Sequence, residues 1–566
     1  MNTASNKEKA AKLHLEPFVP IIDKQMKYYK IIFTYLLLLT WSVIGSSTGL
    51  SEPDEKSLNT KASQLAIDKA DSIGQNMLVV PGWDNLTGSL EIKTGADLPL
   101  QKHAILPGSI HRYDYKSINR HKSFVLYVDS TAYFAENGFG RPLQTIQHPS
   151  GEYYKGTTYL AYQGPKEDPY VCAYNHRTKV WSGPVKAGTS ALGKTPNPKY
   201  PDKIDNHGRP ALIVDGKGYI HLIFGGHGGE SDQGNNSLGS YGSGRQTHLV
   251  SKKPGDISSW EILDNIPPFG TYSQFIKMSN NHIYLFYRHG PHQSDWVYQK
   301  SIDNGRTFAS PVSILKHKPQ KENPKIYDTW YAWFQEGPDN TVTSSFNYHP
   351  CSYSLEHTSL RVNEYAMKMN TVDDTWENAK GEKLTMPLTK ESADSLTMVF
   401  DSKGEKTRLG TNVADSHGNP HLYFRYNSKS PAIFYSGWTG KGWQTSTINP
   451  PEYTFNDGDL IFENEDRTRF FASYSLMDHN EVGWWNSKDH GLTWEKEAPM
   501  LSSTEATYEM SALIRNAHPD ARVIVAETPV NPEGKYSKLY LLGNSGPVKR
   551  NKLHLDKSGA SQKGGH

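Results

Sequence analysis

Short runs in which apolar and polar residues alternate fill most of this chain, punctuated by Gly, Asn and Asp rather than organised in long helical periods. Asp215-Gly-Lys-Gly-Tyr-Ile-His-Leu-Ile-Phe224 and Asp415-Ser-His-Gly-Asn-Pro-His-Leu-Tyr-Phe424 show the unit, a polar glycine-bearing turn that leads into an apolar strand. Alternation closed by such turns predicts antiparallel hairpins. Two segments share the template S-x-D-x-G-x-T-aromatic: Ser301-Ile-Asp-Asn-Gly-Arg-Thr-Phe308 and Ser487-Lys-Asp-His-Gly-Leu-Thr-Trp494. In it the Asp caps backbone N–H groups, the Gly takes φ > 0, and the aromatic plugs between neighbouring sheets. Looser copies end at Trp181, Trp260, Trp376 and Trp443. With Phe308 and Trp494 these make six anchors, spaced 79, 48, 68, 67 and 51 residues apart. A hairpin unit recurring at this spacing predicts a radial repeat, to be read before any count of domains. Six internal anchors plus a unit closed by both chain ends predict an all-β β-propeller of seven blades, six being the alternative, with negligible helix outside the N-terminal leader. These two Asp-box turns are a strong signal of fold and a weak one of function.

The only long apolar run is Ile31–Gly45, short for a membrane span. Lys24, Lys27 and Lys30 precede it and Gly45, Ser46, Ser47 and Gly49 follow, the basic–apolar–small order of a secretory signal, with Met26 able to start a conventional one. A retained anchor helix is the alternative. The expected organisation is a leader over 1–49, a linker and entry segment over 50–94, one propeller catalytic domain over 95–546 and a disordered tail over 547–566. The expected location is secreted or periplasmic, with no stable membrane insertion once the signal is removed.

Composition narrows the function. Aromatic residues make up 11% of the 566 positions, and 47 Gly and 34 Pro are present, which excludes a disordered chain and a helical bundle. The net charge is +2, and beyond residue 50 there are 55 basic and 56 acidic residues. A polybasic nucleic-acid binder is excluded, and any anion must be met by a local cluster of charge. The two cysteines, Cys172 and Cys351, exclude a disulfide scaffold and a cluster held by four thiolates.

The densest polar chemistry lies in Asp205-Asn-His207-Gly-Arg-Pro210, Gly225-Gly-His227-Gly-Gly229, Gly-Thr-Tyr272-Ser-Gln and Tyr287-Arg288-His289-Gly290. Each residue alone has a bland reading: turn histidine, packing aromatic, strand-end charge. Together, from adjacent repeats, they point to one rim. A second group, His292, His349, Cys351 and His357, has the His-x-Cys spacing and extra imidazoles that suit a structural zinc; a buried free thiol among histidines is the other reading.

The stretch from about Asp205 to Gly290 resembles the BNR-repeat ulvan lyases, β-propeller enzymes of polysaccharide lyase families 24 and 25, and is closer to family 25. The resemblance implies β-elimination at a uronic acid of ulvan or its oligosaccharides, in which C4–O breaks, the C5 proton leaves and a 4,5-unsaturated uronate forms. Such a reaction needs the carboxylate neutralised, the proton removed and the leaving oxygen protonated. The resemblance implies Arg288 and His227 at the carboxylate, Tyr272 as base, acid or both, and His207 as its partner. It requires no metal in catalysis and weakly supports the structural zinc. The expected partner is an anionic polysaccharide or oligosaccharide, not nucleic acid, and the expected state is a monomer.

Three other functions compete. A sialidase would carry Arg-Ile-Pro before its first Asp-box, and the chain has none. A non-catalytic carbohydrate-binding propeller would not need His207, Tyr272 and Arg288 together. An oligosaccharide dehydratase would use the same chemistry to expel water at the non-reducing end.

Overall fold

The computed structural model describes residues 88–92, 124–192, 204–352, 359–427, 432–528 and 535–556. The leader, most of the linker and entry segment, His357 and the last ten residues lie outside them. The chain divides into two units. The larger spans 101–115 and 128–554, and the smaller takes 1–100, 116–127 and 555–566.

In the larger unit the strands gather into antiparallel groups, each connected as a meander, in the order 151–186, 211–263, 271–315, 327–377, 406–447 and 454–496. A last group, Thr507–His518, Ala521–Thr528 and Tyr536–Gly543, takes its outer strand, Ala135–Phe139, from the other end of the chain. The first strand of each group packs against the first strand of the next, and Thr507–His518 returns to Gly151–Tyr154. The inner strands therefore close a ring, a β-propeller-like arrangement in an all-β fold. One short α-helix is described, Lys390–Leu396, N-capped by Thr389.

The aromatic anchors fall where each of six groups turns from its third to its fourth strand. The two full templates are superimposable in their bonding. Gly305 N and Gly491 N each donate to the template Ser at 2.8 Å, and Thr307 N and Thr493 N each donate to the Asp at 2.9 Å. Gly305 and Gly491 take φ of 76° and 87°, as the turn demands. Phe308 and Trp494 then reach His248 and Tyr435 of the preceding groups.

The expectation of a disordered tail is corrected, and the entry segment holds a strand. The tail expected from 547 contains the strand Arg550–Asp556, and the expected entry segment contains Gly88–Ile92. Both pair with Phe124–Thr131 in a separate three-stranded sheet. The Lys-, Gly- and Ser-rich composition beyond Lys549 hid the alternation Lys552-Leu-His-Leu-Asp556. Arg550 itself is buried, with its guanidinium bonded to the carbonyls of Phe134 and Gly183, so the polypeptide is anchored past the expected limit.

Candidate active site

In an antiparallel meander, the entry of the first strand and the exit of the second share one edge. Tyr272 opens Thr271–Lys277, Arg288 closes Ile283–Arg288, His207 sits in the loop before Ala211–Val214, and His227 follows Ile220–Phe224. All four therefore emerge at the same end of neighbouring groups, opposite the Asp-box turns.

Asp205 gathers the two histidines. Its carboxylate accepts from His207 Nδ1 at 2.6 Å through one oxygen and from His227 Nδ1 at 2.8 Å through the other. The rings stack with centroids 3.7 Å apart. Glycine makes this approach feasible: Gly225 N donates to Gly208 O at 2.8 Å, and a Cβ on Gly208 would lie 2.8 Å from the Gly225 backbone. Burial works against the charge of Asp205, but the two histidine hydrogen bonds hold its carboxyl well below the usual range. Burial, assisted by His227, pushes His207 down to about 4, so its ring is neutral at pH 7 and its Nε2 carries a lone pair.

Tyr272 is buried and has φ of 62°, at a bulge where the pairing slips between Thr271 and Gln274. A left-handed non-glycine residue at a bulge is backbone strain of the kind stored at functional sites. Its ring lies 5.6 Å from His207 and 5.6 Å from Tyr331. Arg288 is fully buried between the two tyrosines, its Cζ 4.9 Å from the Tyr272 centroid and 5.3 Å from that of Tyr331. Its Nε makes a long contact to Gly290 O at 3.4 Å, and Nη1 and Nη2 have no hydrogen-bond partner. A desolvated guanidinium with both tips unbonded is an open position for an anion.

Sequence reasoning missed Tyr331 and Arg361 and gave Asp205 no role. Arg361 Nη2 donates to the Tyr331 hydroxyl at 2.7 Å, and its Cζ lies 4.5 Å from the ring. Burial alone would raise the Tyr331 pKa, but the cations of Arg288 and then Arg361 outweigh it and hold the phenol below its ordinary value. Tyr272 is pushed up, first by burial and then by Tyr331.

Beside Tyr331 stand three of the four expected zinc ligands. The donor atoms of His292, His349 and Cys351, all buried, lie within 4.8 Å of one another. Cys351 Sγ is 3.6 Å from His292 Nδ1, His292 Nε2 is 3.1 Å from the Tyr331 hydroxyl, and His349 Nδ1 bonds Leu360 O at 2.7 Å. A ring whose Nδ1–H is fixed on a carbonyl presents Nε2 as a ligand, the outer-shell arrangement typical of zinc histidines. The three residues thus fit the metal; the expected fourth, His357, lies outside the described residues.

The profile of BNR repeat-containing family members matches residues 157–450. An ulvan lyase from Nonlabens ulvanivorans is 45% identical over 452 residues, which cover 77% of this chain and 93% of that protein. The chain belongs to the ulvan lyase family. A second member, from Alteromonas sp. (strain LOR), is 43% identical over 440 residues, covering 75% of this chain and 89% of the relative. A solved PL25 ulvan lyase bound to -[GlcA(1-4)Rha3S]- has a TM-score of 0.70 and 40% identity, covering 75% of this chain and 98% of that one. The family assignment thus extends well beyond the segment between Asp205 and Gly290.

Proposed function

We propose that this chain is an ulvan lyase that cleaves C4–O of a uronic acid by β-elimination and releases a 4,5-unsaturated uronate. The observation that carries the mechanism is Arg288: buried, unbonded at both guanidinium tips and held between Tyr272 and Tyr331, with His207 against Tyr272 and stacked on His227. The substrate carboxylate takes the open guanidinium positions, with His227 as its second contact. Neutralised there, the carboxylate accepts the charge that develops as C5 loses its proton.

Two titratable groups whose surroundings push their pKa values apart mark the acid and the base. Tyr331, held low by two arginines, is the base that removes the C5 proton. Tyr272, held high, stays protonated and donates to the departing O4. His207, neutral with Nε2 as acceptor, is the base for the opposite C5 epimer. Electrons flow from the C5–H bond into C4=C5 and out with O4, and no redox partner is needed.

We further propose a structural zinc on His292, His349 and Cys351, with His357 as fourth ligand. When bound it supplies rigidity, and it fixes His292 against Tyr331. The blade count we propose is seven, supported by the succession of strand groups. We also propose export, because of the basic–apolar–small leader; N-terminal sequencing of the native protein should begin near residues 45–50, and a start at Met1 or Met26 refutes it.

The deciding experiment is product analysis on sulfated uronate–rhamnose polymer and its oligomers. Chain-cleaved products that absorb in the near ultraviolet are expected. Loss of water without a chain break means a dehydratase, and no absorbing product means a binding module.

A further inference from the structure

At the end of the propeller opposite Arg288, the first and last strand groups meet through His176, His518 and Asp520. His176 follows the third strand of the first group, Pro169–Asn175, and His518 closes Thr507–His518, the inner strand of the last. Their rings lie 4.0 Å apart between centroids, and Tyr153 flanks both, at 5.3 Å and 5.4 Å. One donor atom from each of His176, His518 and Asp520 lies within 4.8 Å of the other two.

The bonding of the cluster is incomplete. His176 is 8% exposed; its Nε2 meets Thr158 Oγ1 at 2.8 Å, while its Nδ1 is buried without a hydrogen-bond partner. His518 Nδ1 accepts from Asp520 N at 3.2 Å and is 3.8 Å from Asp520 Oδ2. Asp520 Oδ2 also pairs with Lys179 Nζ at 3.2 Å, an exposed contact whose ammonium can turn to solvent. Two imidazoles and a carboxylate form a borderline donor set that suits zinc, with water completing a tetrahedron. Ligand–ligand edges in such a site are about 3.3 Å, so small rotations of exposed side chains close it.

We propose that His176, His518 and Asp520 bind a divalent transition metal, zinc by preference, as a clasp across the seam where the ring closes. Among the described residues the two groups share one ladder pair there, Arg515 with Glu152. A metal joining their distal hairpins ties the two ends of the repeat together without touching the catalytic end. The site is independent of Cys351 and of the proposed reaction.

The test uses the full chain, stripped by chelator and reloaded with cobalt(II) or zinc. A cobalt site containing Cys351 gives a thiolate charge-transfer band in the near ultraviolet; a His–His–Asp site gives none. The double variant His518→Ala/Asp520→Asn should keep whatever thiolate band the wild type shows and bind one metal equivalent fewer. Zinc should raise the melting temperature of the wild type by several degrees more than that of the variant. Should the double variant not fold, His176→Gln, whose amide can still bond Thr158, takes its place with the same expectation. Equal metal uptake by wild type and variant, or equal zinc-induced shifts, overturns the proposal.

Discussion

Tyr272 and Tyr331 share one guanidinium, yet their phenols are driven in opposite directions: burial and then Tyr331 dominate at Tyr272, whereas Arg288 and Arg361, the latter bonded directly to the hydroxyl, outweigh burial at Tyr331. Removing either hydroxyl should therefore stop proton transfer with little effect on binding. Tyr331→Phe and Tyr272→Phe should each lower kcat by about 10²–10⁴-fold with KM nearly unchanged, read from the absorbance of the unsaturated product. Full turnover in Tyr331→Phe would hand the base role to His207. Arg288→Lys keeps the charge, loses the planar fork and should be severely impaired. The arginines also set a pH dependence. A base held below its usual value is deprotonated from a lower pH upward, so activity should rise with pH as Tyr331 loses its proton, below pH 10. Arg361→Gln removes one of the cations and should move this rising limb to higher pH. At a fixed pH below the limb, each unit of displacement costs about tenfold in rate. An unmoved limb in Arg361→Gln means that the group titrating is not Tyr331. His207, His227, Tyr272 and Arg288 were legible in the sequence because glycines or strand ends isolate each of them. Tyr331 was not: Trp330-Tyr-Ala-Trp-Phe334 reads as an ordinary buried strand, and its partner Arg361 arrives from a strand 30 residues on.

At the scale of elements, the polar turns are small machines for closing a hairpin, and their spacing revealed the repeat. Asp489 illustrates the energetics: its carboxylate accepts from Thr493 N at 2.9 Å, Thr493 Oγ1 at 2.6 Å and Ser487 Oγ at 2.8 Å. These bonds are partly exposed, so Asp489→Ala should cost about 1–2 kcal/mol of stability. Because the turn lies at the end away from Arg288, kcat/KM at 25 °C should be unchanged, and a denaturant titration beside an activity assay separates the two effects. What the pattern could not give was the end of the order. Composition treats Lys549-Arg-Asn-Lys as tail, whereas the structure uses Arg550 as a buried cation reaching two carbonyls. A charged residue looks like surface in a sequence until a partner remote in the chain explains its burial.

Beside the outer strand Ala135–Phe139, which ties the two ends of the chain together, the ring is held by side chains that cross from one inner strand to another. Glu152, fully buried in the first group, has this role. It accepts from Lys277 Nζ of the third group at 2.7 Å, from Val214 N of the second at 2.7 Å and from Arg515 Nη1 of the last at 2.8 Å. Arg515 continues the network to Glu336 of the fourth. One carboxylate thus serves four inner strands, its own included, and its neighbours Lys277 and Arg515 are both largely buried cations. Glu152→Gln keeps the size and one acceptor oxygen but removes the charge, which leaves those cations short of a counter-ion. Breaking a buried pair from one side costs about 3–5 kcal/mol, because the remaining charge stays desolvated. The variant should melt several degrees below the wild type, and the loss should appear as one transition if the groups hold one another in the ring. Its kcat/KM at 25 °C should stay close to that of the wild type, since the network sits at the strand ends away from Arg288. A second, independent replacement discriminates charge from packing: Glu152→Gln combined with Lys277→Met removes one of the stranded cations and should recover part of the lost stability. Failure of the double variant to melt above Glu152→Gln would mean that the network acts through shape rather than through charge, and that closure of the ring rests on the apolar contacts between inner strands.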